Sequence, residues 1–485
     1  MIRARGRAGI VTTCGGLLVA ACALLAWRAP EFAYGSDMAA RPIPFLVALL
    51  MGAGAVYLAA VWAGGSLPPT RNALAWIFAA GVLMRIAASA GPPVLEDDFY
   101  RYLWDGAVVA SGQNPYAHAP GAIRDGLVAD PELAALAADS GAVIARVNHA
   151  HLRTIYPPAA QAFFAIAHWA APWSIGGLRL VYFALDCAVF AILIGLLRAL
   201  DLPAWRVLIY WWNPLFVKEC YNSVHMDLLL VPPMLLALLL VLRGRARPAA
   251  AALGLAAAIK FWPALLAPIV AGARGPGWRR ALYAVLLCAA LALALVAPML
   301  LWGGLGNGAG LVAYGARWEM NDALFMAIAW LGARSAALAG SPLGPQEAHL
   351  LAKGITGVAL AALACAGGWS VWRRRQLGVA ELDQRRHLAA WWCTVAAALF
   401  LLSPVQFPWY YAWLLPWLVL VPNRGLLLLT VMLPLYYLKF YFDARGQADF
   451  FHYRVVWLEY APVWGLLLWD ALRRFRAPRG RKPTS

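Results

Sequence analysis

The sequence predicts an all-α fold: a polytopic bundle of about 12–14 transmembrane helices, with one large connecting loop that carries short amphipathic helices. Three observations predict it. The 485 residues are 63% hydrophobic and only 13% charged, about half the charge of a soluble domain. The apolar residues recur in blocks of roughly 17–25, enough for a helix to cross the hydrocarbon. The weak alternation of a transmembrane barrel strand is absent.

In order, candidate spans fall near 9–27, 43–64 and 72–91. The first follows Arg3, Arg5 and Arg7 like a signal peptide, but no small-residue cleavage site precedes Trp27, so it reads as a retained span. A polar stretch, 92–154, comes next. Further blocks lie near 156–173, 177–199, 203–220, 222–242, 248–272, 279–302, 321–338, 348–371, 387–403, 405–421, 425–441 and 455–472. No internal repeat stands out. A single integral-membrane domain over 1–485 is expected, with no soluble C-terminal domain.

The formal charge of +17 suggests nucleic acid only until its placement is read. Arginines crowd short connections: Arg243, Arg245 and Arg247; Arg274, Arg279 and Arg280; Arg373, Arg374 and Arg375; and the tail from Arg473 to Lys482. This is the positive-inside bias, which puts them on the cytoplasmic face. Anionic membrane lipids are the expected partner, not nucleic acid. The seven cysteines contain no CxxC pair and lie mostly in apolar blocks. They read as small hydrophobes, without a disulfide framework or a zinc site.

An internal N-terminus and three spans place the 92–154 loop outside. Parity then fails. Four blocks separate this loop from Arg243–Arg247, where an odd number is needed, so at least one is broken, fused or re-entrant. The block at 248–272 also reads as a broken helix, with Lys260-Phe261-Trp262-Pro263 at its centre. Irregular backbone at membrane depth is tolerated only inside protein or along a wet cavity.

Chemistry concentrates in a few places. "LEDDFYRYLWDG" (Leu95–Gly106) follows the helix-ending Pro92-Pro93. Spacing puts Asp97, Arg101 and Asp105 on one helical face, and predicts a short amphipathic helix along the outer membrane surface. Acids at a helix start also serve as caps. One acid suffices for that, whereas three adjacent acids repel one another and raise a pKa, as a general base requires. "SGQNPYAHAP" (Ser111–Pro120) reads as a turn. "WWNPLFVKECYNSVHMDLLL" (Trp211–Leu230) sets Lys218, Glu219, His225 and Asp227 between apolar runs. Ionisable groups at membrane depth are costly and mark function, although structural pairs such as Lys218–Glu219 or His225–Asp227 would also explain them. Lys260, one of only five lysines against 35 arginines, suits an anion such as a lipid phosphate, or snorkels to the interface. Arg317 lies in "YGARWEMND" (Tyr314–Asp322). Trp409 and Tyr410 lie in "SPVQFPWYYAWLLPW" (Ser403–Trp417), as an interfacial aromatic belt or a sugar-stacking surface. Arg85 and Asp186 form a candidate charge pair. Nucleotide-binding and hydrolase fingerprints are missing, so an activated substrate must arrive on a lipid carrier. The acids would look the same with or without a divalent metal, which leaves a metal open and no ligand set assigned.

Together these motifs resemble the GT-C superfamily of integral-membrane glycosyltransferases, nearest the bacterial polyprenol-phosphate-mannose-dependent mannosyltransferases. The resemblance rests on Glu96-Asp97-Asp98-Phe99-Tyr100, Gly112 with Asn114-Pro115-Tyr116, and Tyr156-Pro157-Pro158. It continues through Asn213-Pro214 with His225 and Asp227, Lys260 with Pro263, and Pro404 with Pro408-Trp409-Tyr410. It runs from about residue 90 to 415. It departs from much of the superfamily in placing the first large loop after the third span.

The resemblance implies transfer of a sugar from a polyprenyl-phosphate carrier to a lipid or glycan acceptor, at the periplasmic face of a bacterial inner membrane. Asp98 carries over as the general base, with Asp97 second. Lys218, Lys260, Arg317 and Arg101 become candidates for the phosphate. Glu96, His225, Asp227, Trp409 and Tyr410 complete the expected substrate site. A transporter or flippase of a lipid-linked solute explains broken helices and buried charge equally well, but predicts a two-fold hydropathy symmetry that is absent. An O-antigen-type polymerase or ligase predicts an arginine-rich loop, whereas this loop leads with acids.

Overall fold

The computed structural model describes residues 2–273, 278–304, 306 and 308–476. Arg274 and the basic tail beyond Arg476 fall outside them. The fold is an all-α bundle, and its extended pairing among the described residues is limited to two isolated bridges, Arg153–Ala309 and Met320–Val405. Among the described residues, eight helices are long and apolar enough to cross a membrane, or nine if one sharply bent pair counts as a span. Their outward faces carry exposed apolar side chains such as Trp62, Ile86, Leu293, Leu301 and Val358, as a surface solvated by lipid requires.

This count is lower than the 12–14 expected from hydropathy, because several apolar blocks are not continuous helices. The block at 156–173 forms only Pro158–Ala170. The block at 203–220 opens as a 3-10 turn and breaks at Asn213-Pro214, where Asn213 Oδ1 accepts from Phe216 N. After the π-turn Lys218–Asn222 the chain bends by 112° into Met226–Leu242. The parity conflict therefore coincides with a physical break. The block at 248–272 also breaks as expected: Ala246–Ile259 stops at Lys260, whose backbone is extended, and a 3-10 turn leads into Ala267–Gly272. The block at 405–421 is a 3-10 run, Pro408–Trp413, followed by the short helix Leu415–Leu420.

Two contacts position the site. Arg85, in helix Arg71–Ser89, pairs with Asp186 of Ile175–Ala199 through Nε–Oδ2 at 2.7 Å. Both side chains are buried, and Tyr210 and Tyr221 donate to the same carboxylate at 2.6 and 2.7 Å. The candidate pair thus exists and ties two long helices to the Trp211–Leu230 stretch. The second contact packs helix Asp98–Ala110 against Pro158–Ala170. Gly106 makes it possible: a Cβ there would lie 2.5 Å from the Phe164 carbonyl oxygen.

That packing corrects the expected surface helix. Phe99 and every residue from Arg101 to Val108 are buried. The polar face is covered because its charges are satisfied inside. Arg101 binds Asp105 at 3.0 Å and the Leu152 carbonyl at 3.0 Å, and Gln161 donates to the other Asp105 oxygen at 3.0 Å. Asp97 does not share this pairing, because it stands just before the helix.

Candidate active site

Three breaks in regular structure converge on one cavity of about 280 Å³: the start of helix Asp98–Ala110, the bend at 222–226, and the interruption at Lys260. Each approach includes a non-glycine residue with positive φ or an extended break. Leu95 (φ 62°) precedes Glu96, Val224 (φ 63°) precedes His225, and His149 (φ 47°) follows Asn148. Such residues cost on the order of 1–3 kcal/mol each and cluster where a site demands them. A β-branched valine in this region is the sharpest outlier of the three.

The acidic side of the cavity is held by Asn148. Its Nδ2 donates to Asp98 Oδ1 at 2.6 Å and to Asp97 Oδ1 at 2.9 Å. Asp97 occupies the N-cap position of its helix but its side chain makes no capping bond, so helix capping does not explain the acids. Asp98 lines the cavity and its side chain stays 28% accessible. Its carboxyl is pushed up to about 6. Burial is the main cause, the Asn148 hydrogen bond opposes it, and the Asp97 charge adds to it. Such a group is ionised near neutrality yet basic enough to take a proton.

The cationic side is Lys260. Its ammonium donates to Asp227 Oδ1 at 2.7 Å and lies 4.1 Å from the Tyr410 ring centre and 4.5 Å from that of Trp413. Trp413 Nε1 donates to the same Asp227 oxygen at 2.7 Å. Lys260 keeps 26% of its side chain accessible while Asp227 keeps 2%. The lysine therefore presents remaining donor capacity to the cavity, with its carboxylate partner behind it. Tyr314 and Tyr410 share an O–O hydrogen bond of 2.6 Å, and with Trp318, Phe407 and Trp409 they form an aromatic wall.

The structure gathers Glu96, Asp98, Arg101, Asp227, Lys260, Trp409 and Tyr410 around this cavity. It leaves two of the phosphate candidates, Arg317 and Lys218, outside that lining. Arg317 is exposed and outside the lining, because its helix Gly310–Arg317 ends with that side chain turned away. Lys218 is fully buried, bonded to Glu219 and Tyr437, and is not among the residues that line the cavity. Of the two structural pairs considered for this stretch, Lys218–Glu219 is present at 3.4 Å. His225 turns away from Asp227. It stacks on Trp409 with ring centres 4.0 Å apart and faces Glu96, Asp98 and Glu219. Asn148, Arg153 and Tyr314 line the site without having been singled out as ligands. The polar run Asn148–Arg153 was the available signal for the first two, and the Tyr314–Asp322 stretch for the third.

Residues 3–275 match the family described as alpha-(1->6)-mannopyranosyltransferase, N-terminal domain, and residues 154–404 match glycosyltransferase family 87. No curated protein and no solved structure matches the chain. Each family match covers more than half of the sequence, and together they include the acidic turn, the bend at His225, Lys260 and Pro404. The chain belongs to these families of GT-C-type membrane mannosyltransferases, and it is a glycosyltransferase.

Proposed function

We propose that the enzyme transfers mannose, or another hexose or pentose, from a polyprenyl-phosphate carrier to a lipid or glycan acceptor. The reaction takes place on the periplasmic side of a bacterial inner membrane, where the positive-inside bias puts the 92–154 connection. One observation carries this reading: a basic carboxylate, Asp98, and a cation with spare donor capacity, Lys260, face one aromatic-walled cavity.

Asp98 removes the proton from the acceptor hydroxyl as its oxygen attacks the anomeric carbon. The bond from that carbon to the phosphate oxygen breaks, and the polyprenyl phosphate leaves with the electron pair. Lys260 offsets the charge on the leaving phosphate, as charge-assisted hydrogen bonds do in a site of low dielectric. Arg153 lines the same cavity and is placed to share that task. Asn148 orients Asp98, and Asp97 sits second in line. The aromatic wall supports a sugar ring.

The test uses purified enzyme in lipid nanodiscs with polyprenyl-phosphate mannose, a panel of other polyprenyl-phosphate sugars, and nucleotide sugars. Transfer from the lipid-linked donor alone is expected. Asp98→Asn should lower it by about 10²–10⁴-fold, the usual contribution of a general base, with unchanged thermal unfolding. Full activity in Asp98→Asn and Asp97→Asn, singly and together, sinks the mechanism. Activity with nucleotide sugars sinks the donor.

A further inference from the structure

Beside Asp98 lies a second cluster to which the transfer step above gives no role. Glu96, Glu219 and His225 come from three separate segments, and one ligand atom from each falls within 4.8 Å of the others. Glu96 Oε2 and Glu219 Oε2 each lie 3.6 Å from His225 Nε2. The side chains of Glu219 and His225 are fully buried, and that of Glu96 is 9% accessible.

Glu96 and His225 are poorly satisfied by protein. At 3.6 Å the contacts are too long for hydrogen bonds. Neither ring nitrogen of His225 and not Glu96 Oε1 has a hydrogen-bond partner among the described residues. Lys218 and Tyr437 engage Glu219, but among the described residues Lys218 makes no hydrogen bond to Glu96. Two buried carboxylates therefore face one ammonium, with an unpartnered imidazole between them, and unmade bonds of this kind are costly.

We propose that Glu96, Glu219 and His225 bind one divalent transition-metal cation of the Zn²⁺ type. Ligands about 2.1 Å from a tetrahedral ion stand about 3.4 Å apart, close to the 3.6 Å that separates each glutamate oxygen from His225 Nε2. A nitrogen donor beside two carboxylates suits zinc better than calcium or magnesium, which prefer oxygen. The remaining ring nitrogen agrees with this. His225 Nδ1 faces Asp98 Oδ2 at 3.7 Å, a few tenths of an ångström beyond the hydrogen bond by which an outer carboxylate orients a ligating imidazole. Trp409 holds the ring in plane. His225 is then a positioning residue, linking the ion to Asp98. The binding site stands independently of sugar transfer, and only this consequence for Asp98 rests on that reading.

The experiment strips purified full-length enzyme in nanodiscs with a chelator. It then titrates Zn²⁺ against a chromophoric competitor, and Co²⁺ while recording its visible absorption. One equivalent of Zn²⁺ is expected, with Co²⁺ bands of four- or five-coordinate geometry. Glu96→Gln, Glu219→Gln and His225→Ala should each weaken binding by at least about 100-fold. Absence of stoichiometric binding and of Co²⁺ bands in the wild-type chain overturns the site whatever the variants do, and leaves a proton shared by the two carboxylates. Binding unchanged in His225→Ala also overturns it. Metal bound without sugar transfer would fault the transfer reading and spare the site, and transfer by a chain that binds no metal would do the reverse.

Discussion

Arg85→Met should destabilise the enzyme by about 3–5 kcal/mol, the cost of stranding one member of a buried ion pair. The structure supports a value in that range. The two side chains are 1% and 0% exposed, and the closest approach is 2.7 Å. Charges about 4 Å apart at an effective dielectric near 20 attract by about 4 kcal/mol. Arg85 Nη1 also donates to the Gly81 and Trp211 carbonyls at 2.9 and 2.8 Å, and its guanidinium lies 3.6 Å from the Trp211 ring centre. Removing it leaves Asp186 with only the Tyr210 and Tyr221 hydroxyls. The double variant Arg85→Met/Asp186→Leu removes both charges and should cost much less than Arg85→Met alone, because a buried pair replaced by apolar groups is often close to neutral. Equilibrium unfolding in mixed micelles measures both. Arg85→Met within about 1 kcal/mol of wild type, or a double-variant cost equal to the sum of the single costs, would refute the reasoning.

Asn148→Ala removes a hydrogen bond that favours ionised Asp98, so the Asp98 pKa should rise from its already raised value near 6. The base works ionised, so the acid limb of the kcat/KM profile should move to higher pH, by roughly one to two units for a bond of about 1.5–3 kcal/mol. Profiles of both proteins in the same metal state decide it, and an unmoved limb removes Asp98 as the base. Gly106→Ala should destabilise by about 1–3 kcal/mol, since the added Cβ meets the Phe164 backbone and two helices must separate. Unfolding beside a control at the exposed Gly315 checks this, and equal stability would mean that the crossing is not tight.

Composition and charge placement were enough for the membrane class, because crossing hydrocarbon demands long apolar runs whatever the tertiary contacts. The acids at 96–98, the ionisable residues at 218–227 and the lone Lys260 were legible for the same reason, since charge in an apolar chain is expensive. Their grouping was not legible. Span counting treated every apolar block alike, and only packing distinguishes a lipid-facing helix from a short segment such as Pro158–Ala170. The helix Asp98–Ala110 reads as a surface helix on periodicity alone, because the partner that covers its polar face is remote in sequence. Gln161 and Leu152 supply that cover.

The sequence by itself thus determined the solvent this chain lives in, the families it joins and the residue types available for chemistry. Each of these follows from local composition and short motifs. Tertiary structure alone decided which charges meet. It sent Lys260 to Asp227 and the cavity, and Lys218 to Glu219 and Tyr437. It left Arg317 outside and aimed His225 at two glutamates rather than at Asp227. The physical reason is the bend of 112° at 222–226 together with the break at Lys260. These directions depend on backbone angles at single residues and on contacts more than a hundred positions away, which no spacing rule encodes.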